Sequence, residues 1–310
     1  MRSVKKLRDL LAGPGAVVAP GVYDALTAFL VERAGFQCVY LSGASVSFTR
    51  LGRPDLGLTT LTEVADTVAR ICERIELPLV VDADTGYGNA LNVQRTVALL
   101  ERMGASGIQL EDQQSPKRCG HLAGKNLVAV DEMTGKIRAA LDARVDEETV
   151  IVARSDALAV EGIDKAIARG HAYVEAGADV LFIEAPRTVE HLQQIGREFA
   201  NKVPLLANMV EGGRTPLLSA NELGDLGFSL VIFPGAMLRV HVKAATEYLA
   251  VLKADGTTSR FLDRMLLFDE VNGLIGLDEM IRDGQSYAGD IRDANEDPQF
   301  QQASHTVIHG

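Results

Sequence analysis

Short apolar runs in this sequence stop at polar groups able to do chemistry. Asp82-Ala83-Asp84 closes the run Leu79–Val81. Residues two apart in an extended strand face the same side, so both carboxylates point one way. Other runs end in Ser42, in Glu111 and Asp112, in Arg154, in Glu184 and in Asn208. Carboxylates gathered at one place repel unless a cation lies among them, and hard oxygen ligands without a histidine cluster select magnesium, with manganese as the second choice. The plainer use of Asp82 and Asp84 is to cap a helix after the turn DTGYGN. Arg154 is able to grip a substrate carboxylate through two hydrogen bonds, or to form a buried ion pair with Glu184. Ser42-Gly43-Ala44 offers a hydroxyl and small-residue amides to another carboxylate, or makes a simple tight turn. The segment Lys117-Arg118-Cys119-Gly120-His121 flanks a thiol with two cations and a histidine, which favours the thiolate, and Gly120 and Gly124 give it room to move. It reads as a candidate lid carrying an acid or base, the alternative being an exposed basic loop with an incidental cysteine. No run ends in lysine, which argues against Schiff-base chemistry and for metal-assisted chemistry.

The elements that must carry these groups alternate along the chain. Expected strands are Val17–Pro20, Cys38–Ser42, Leu79–Asp84, Gly107–Glu111, Val150–Arg154, Val180–Glu184, Pro204–Asn208 and Leu230–Pro234, with helical spacing between them. Thr60 and Glu63 form a capping-box pair, and the AGF, MGA and AGA triplets ahead of the second, fourth and sixth strands read as helix stops. Strands such as LPLVVD and VLFIEA suit a parallel sheet buried on both faces, and no glycine-rich phosphate loop follows an early strand. The fold expected is a (β/α)8 TIM barrel over 1–253, closed by a helix at Ala236–Leu252. Extra C-terminal helices would occupy 254–286, and a polar tail 287–310, in which His305 and His309 read as solvated residues.

Composition narrows the class. The 310 residues are 47% hydrophobic and 24% charged, an ordinary globular balance. With 31 Lys and Arg against 42 Asp and Glu, the net charge of −11 disfavours nucleic acid as a partner. The longest apolar runs fall far short of the roughly 20 residues of a membrane span, and Asp9 and Gly13-Pro14 interrupt any leader-like stretch. Three widely spaced cysteines, Cys38, Cys72 and Cys119, fit neither a disulfide framework nor a zinc ribbon, and a cytoplasmic location is expected.

The motifs LSGA (41–44), PDLG (54–57), VDADTGYG (81–88), QLEDQ (109–113), KRCGH (117–121), ARSD (153–156) and Asn208 occur together and in order. On these the sequence resembles the isocitrate lyase/phosphoenolpyruvate mutase superfamily over roughly 15–270, within its branch of small lyases acting on 2-methylisocitrate, 2,3-dimethylmalate and other 2-alkylmalates. The resemblance implies a magnesium ion held directly or through waters by Asp82, Asp84 and Glu111, with Asp55 further out. It implies that Ser42, Gly43, Ala44, Gly120, Asn208 and Arg239 serve a di- or tricarboxylate substrate, and that Lys117, Cys119, His121, Arg154 and Glu184 form the catalytic set. Cys119 stands where the lyases of the family keep the acid that protonates the departing carbanion. For the base that removes the hydroxyl proton, a metal-activated route, Tyr40 and Tyr87 all stay open. The family's exchange of C-terminal helices implies a homotetramer. The stretch from Asn208 to Pro216 departs from the 2-methylisocitrate pattern and favours an alkylmalate substrate, whereas Arg239 and Arg264 match arginines of the tricarboxylate enzymes. Oxaloacetate or phosphonopyruvate chemistry and a catalytically silent barrel are the remaining readings.

Overall fold

In the computed structural model, which describes residues 3–122 and 124–288, eight parallel strands form a barrel. They are β1 (Val17–Val22), β2 (Val39–Leu41), β3 (Leu79–Asp82), β4 (Gly107–Glu111), β5 (Val150–Ser155), β6 (Val180–Ile183), β7 (Leu206–Asn208) and β8 (Leu230–Phe233). β1 pairs with both β2 and β8, and the ring is completed between β6 and β7 by a single parallel bridge, Leu181 to Leu205. All residues of β2 to β7 are buried, as expected for strands covered on one side by helices and on the other by the packed barrel interior. The fold is the expected (β/α)8 barrel.

The local signals act as read. Glu63 accepts the Thr60 amide at 2.7 Å while Thr60 accepts the Glu63 amide at 3.3 Å, starting the helix Leu61–Arg74. Gly104, in the MGA stop, adopts φ +107, a left-handed conformation that ends the helix Ala90–Arg102 within two residues. That helix is capped by Asn89, not by Asp82 or Asp84, so the two aspartates are not spent as helix caps. Ser42, expected as the end of β2, instead caps the short helix Gly43–Val46 by accepting the Ser45 amide at 3.2 Å.

The N-terminal segment, to which no element was assigned from the sequence, forms a helix, Ser3–Leu11. Its Leu7 and Leu11 join the core cluster that includes Cys38, Val80, Val150 and Leu230. These lie near the strands' amino ends, so the helix plugs the bottom of the barrel and leaves the carboxyl ends open. Residues beyond β8 form the helix Ala236–Asp255, a 3-10 turn Ser259–Arg264, and the helices Phe268–Ile275 and Leu277–Tyr287. The chain divides into two compact units, with the boundary between Val242 and Lys243. No helix among the described residues is long and apolar enough to cross a membrane. The polar tail from 289 onward, with His305 and His309, lies outside the described residues.

Candidate active site

The carboxyl ends of the strands open into a cavity of about 270 Å³. Its lining includes Ser42, Ala44, Asp55, Asp82, Lys117, Cys119, Gly120, His121, Arg154, Glu184, Asn208 and Arg239, twelve of the fifteen residues named from the sequence. The other three lie just behind the wall. Gly43 backs onto the aspartates so closely that a Cβ there would sit 3.1 Å from Asp82 Oδ2 and 3.3 Å from Asp84 Oδ1. Asp84 and Glu111 are buried beside the lining residues they pair with.

One side of the cavity is a carboxylate cluster. Asp84 and Tyr87 hold positive φ values of 49 and 59, so the chain doubles back directly after β3. Lys117 Nζ bridges the cluster, 2.6 Å from Asp55 and 2.7 Å from Asp84. Asp82 Oδ1 accepts from Gln109 at 3.1 Å, and Gln109 in turn accepts from the Tyr40 hydroxyl at 3.0 Å. Burial pushes the Asp84 carboxyl up to about 7 even though Lys117 pulls it down, and neighbouring Asp82 and Asp55 raise it further. Burial also raises Glu111 well above the usual carboxylate range, only partly offset by Arg154. Lys117 stays charged: burial alone would lower it, but Asp84, Glu111, Asp82 and Asp55 outweigh that. Among the described residues no three His, Cys, Asp or Glu side chains form a ready chelate. Gln109 holds Asp82, Lys117 holds Asp84, and Arg154 holds Glu111, so each carboxylate is fixed from behind. Glu111 Oε1 is nevertheless buried without a partner. A few fixed carboxylate oxygens, one unpaired, fit a hydrated magnesium ion, which keeps several waters and takes one or two protein carboxylates.

The other side is built on Arg154. Its Nη1 lies 3.3 Å from Glu111, and its Nε and Nη2 donate to Asp156 at 3.0 and 3.2 Å. The buried pair with Glu184 is longer, 4.0 Å. Burial would raise Glu184, but Arg154 and His121 hold its carboxyl below the usual range. His121 Nδ1 accepts the Arg214 amide at 3.1 Å, which leaves the ring proton on Nε2, 3.0 Å from Glu184. Asn208 donates to both Glu184 oxygens, at 3.2 and 3.3 Å, while its own buried Oδ1 has no partner. Arg239 is ion-paired with Glu211 at the rim, and Arg264, in the C-terminal unit, is paired with Glu247.

Two expectations change. The basic neighbours of Cys119 were read as favouring its thiolate, yet burial raises the thiol, with Asp55 and Glu184 adding to it. The reason is that Lys117 turns to Asp55 and Asp84, so the charge adjacent in sequence is not delivered to the sulfur. Cys119 is therefore a protonated acid at neutral pH. The two tyrosines left open as bases are likewise held neutral: burial, then nearby carboxylates, raises both phenols well above their ordinary value. Sequence reasoning gave no role to Gln109, Gln113, Lys125 or Asp156. Gln113 receives the Arg118 amide at 3.0 Å and donates to its carbonyl at 2.8 Å, pinning the loop ahead of Cys119. A glutamine inside an otherwise apolar strand was the available signal for Gln109.

A family model described as phosphoenolpyruvate phosphomutase matches residues 7–253. The chain is similar to the 2,3-dimethylmalate lyase of Eubacterium barkeri, 46% identical over 288 residues, covering 93% of this chain and 99% of that protein. It is also 46% identical over 270 residues to the 2-methylisocitrate lyase of Aeropyrum pernix, covering 87% and 86%. A crystal structure of 2,3-dimethylmalate lyase superposes with a TM-score of 0.88 at 38% identity, over 95% of this chain and 98% of that one. A phosphonopyruvate hydrolase, solved in complex with oxalate and Mg++, superposes with a TM-score of 0.83 at 31% identity, over 93% and 99%.

The pH dependence of alkylation checks the ionisation of Cys119. The rate at this residue, followed by peptide mass mapping with iodoacetamide, should rise only above about pH 8.5, the ordinary thiol value, because the folded state favours the neutral form. A midpoint below pH 8 would contradict the acid role.

Proposed function

As the chain belongs to the phosphoenolpyruvate phosphomutase family of carbon–carbon lyases and mutases, we propose that it is a magnesium-dependent lyase. Its substrate in this reading is a 2-hydroxy dicarboxylate of the 2,3-dimethylmalate or 2-alkylmalate type, cleaved to pyruvate or another 2-oxo acid plus a carboxylic acid. The observation that carries the substrate class is the Arg239–Glu211 ion pair at the cavity rim. A third carboxylate, as in 2-methylisocitrate, would need that guanidinium, and burying it without a cation would cost several kcal/mol. Nearby, Phe48, Val210, Ile232 and Leu238 give the cavity an apolar wall suited to a methyl or alkyl group.

Asp82, Asp84 and Glu111 would hold the magnesium ion, with Asp55 behind Lys117. When bound, the ion supplies Lewis-acid polarisation and orients the substrate oxygens. Lys117 neutralises Asp55 and Asp84 and keeps the cluster from repelling an anionic substrate. Arg154, fixed by Asp156 and Glu111, grips a substrate carboxylate and stabilises the charge that grows on it as the C2–C3 bond breaks. Ser42 and Ala44 line the place of a second carboxylate, and Asn208 offers its unpaired Oδ1 to a substrate hydroxyl. As the C2–C3 bond breaks, the 2-hydroxyl gives up its proton to water and its oxygen becomes the carbonyl of the 2-oxo acid, while the bond's electron pair passes into the adjoining carboxylate; Cys119 Sγ then gives its proton to C3, which completes the acid product, and regains one from water afterwards. Gly120 passes close against Arg154 and Glu184, so the loop covers the reacting carbon from solvent.

We further propose a cytoplasmic homotetramer whose subunits exchange the helices of 254–286. Supporting it, neither Phe268–Ile275 nor Leu277–Tyr287 has a buried residue, and Phe268 and Met280 are 82% and 72% exposed. Sedimentation equilibrium should give a four-chain mass; a monomer would contradict the exchange.

The substrate assignment is checked by pyruvate release across a panel of alkylmalates and methylisocitrate in the presence of magnesium. We expect kcat/KM for 2,3-dimethylmalate to exceed that for 2-methylisocitrate by tenfold or more, about 1.4 kcal/mol of transition-state preference. The reverse ratio would make the protein a 2-methylisocitrate lyase.

A further inference from the structure

Lys125 lies outside the motifs that carry the family resemblance, yet its side chain is only 1% exposed. A buried ammonium needs acceptors, and Lys125 has two. Its Nζ donates to Asp156 Oδ1 at 2.7 Å and, in a short contact, to the carbonyl of Gly120, the residue directly after Cys119. We propose that Lys125 is a positioning residue that seats the Gly120–His121 peptide, directly after Cys119, on the Arg154–Asp156 pair.

Asp156 is a firm anchor. Its amide donates to Asp112 Oδ1 at 2.8 Å, and Asp112 Oδ2 accepts from Tyr173 at 2.7 Å and Ser155 at 2.8 Å. The same Asp156 carboxylate aims Arg154 through two hydrogen bonds. Lys125 therefore ties the backbone beside the proton donor to the carboxylate that orients the substrate clamp. The seat is close-fitting: a Cβ on Gly120 would lie 2.4 Å from Arg154 Nη2 and 2.6 Å from Glu184 Cγ. Without the ammonium, the Gly120 carbonyl would lose its donor and Asp156 Oδ1 would keep only Arg154 Nη2, and the loop would leave this narrow slot. A proton donor displaced by about 1 Å loses much of its rate, while substrate held by Arg154 and Ser42 binds nearly as before.

The inference rests on the lyase reading for the role of Cys119, but the seat itself is read without substrate. In Lys125→Met, iodoacetamide should alkylate Cys119 about fivefold faster or more than in the native protein, because the thiol leaves its half-buried place. With 2,3-dimethylmalate, kcat should fall about tenfold or more with KM changed less than threefold. In a Cys119→Ser background, itself expected to lose about 10²-fold, the same substitution should cost threefold or less, since both act through one step. Alkylation within twofold of native, or losses that multiply fully in the double variant, would overturn the proposal. Should far-UV circular dichroism show Lys125→Met unfolded, Lys125→Gln, whose uncharged amide is one bond shorter and does not reach both acceptors, is read by the same criteria. Faster alkylation without turnover of any alkylmalate would leave the seat standing and sink the lyase reading alone.

Discussion

The mouth of the barrel buries more carboxyl groups than cationic ones. Asp55, Asp82, Asp84, Glu111, Asp156 and Glu184 are all buried there, against Lys117, Lys125 and Arg154. Each carboxylate removed from water needs a cation or several donors, so almost every polar contact around the cavity serves that need. Lys117 crosses from the loop after β4 to reach Asp55 and Asp84, and Gln109 reaches up from within β4 to Asp82. A Cβ on Gly43 would crowd the two aspartates, at 3.1 and 3.3 Å from their oxygens. A rigid eight-stranded frame makes this possible, because the excess charge could otherwise relax by letting the strand ends separate.

The excess is divided unevenly, and that division sets the roles. On the Arg154 side, burial would raise Glu184 and Asp156, but Arg154 together with His121 at Glu184 and Lys125 at Asp156 holds them below the usual carboxylate range. On the Asp84 side, one lysine serves several carboxylates, and Asp84 and Glu111 are pushed upward. In the proposed reading, the first arrangement fixes an anion-binding clamp and the second takes a divalent cation. Cys119 faces both regions and is kept protonated by burial and by their negative charge. Its neutral state at pH 7 is thus a product of the same imbalance that calls for a metal ion.

Much of this was legible in the sequence, and the rest was hidden for identifiable reasons. All eight strands, the helix stops and the polar residues at the strand ends follow from hydrophobic period and glycine placement, which are local. The boundary of β2 moved because Ser42 found a backbone amide to cap, a choice between two local options that the sequence leaves open. Interactions between distant segments were not readable. Lys117 stands two residues from Cys119 but serves aspartates 33 and 62 positions away in the chain, so the local charge pattern gave the wrong ionisation for the thiol. Arg239 was assigned to substrate from its resemblance, while its pairing with Glu211 became visible only once β7 and β8 were side by side. Lys125 was passed over because nothing in its neighbours says that its ammonium is buried.

The central claim, that a divalent cation completes an under-neutralised carboxylate cluster, is tested most directly by counting protons released when magnesium binds. With the Asp84 carboxyl raised to about 7 in the metal-free protein, part of that site is protonated at neutral pH and must release its proton to the buffer when the cation binds. Titration calorimetry with Mg2+ in buffers of different ionisation enthalpy should show proton release at pH 7 that grows toward pH 6 and fades by about pH 8.5. Magnesium binding with no proton release across that range, or no binding at all, would contradict the account.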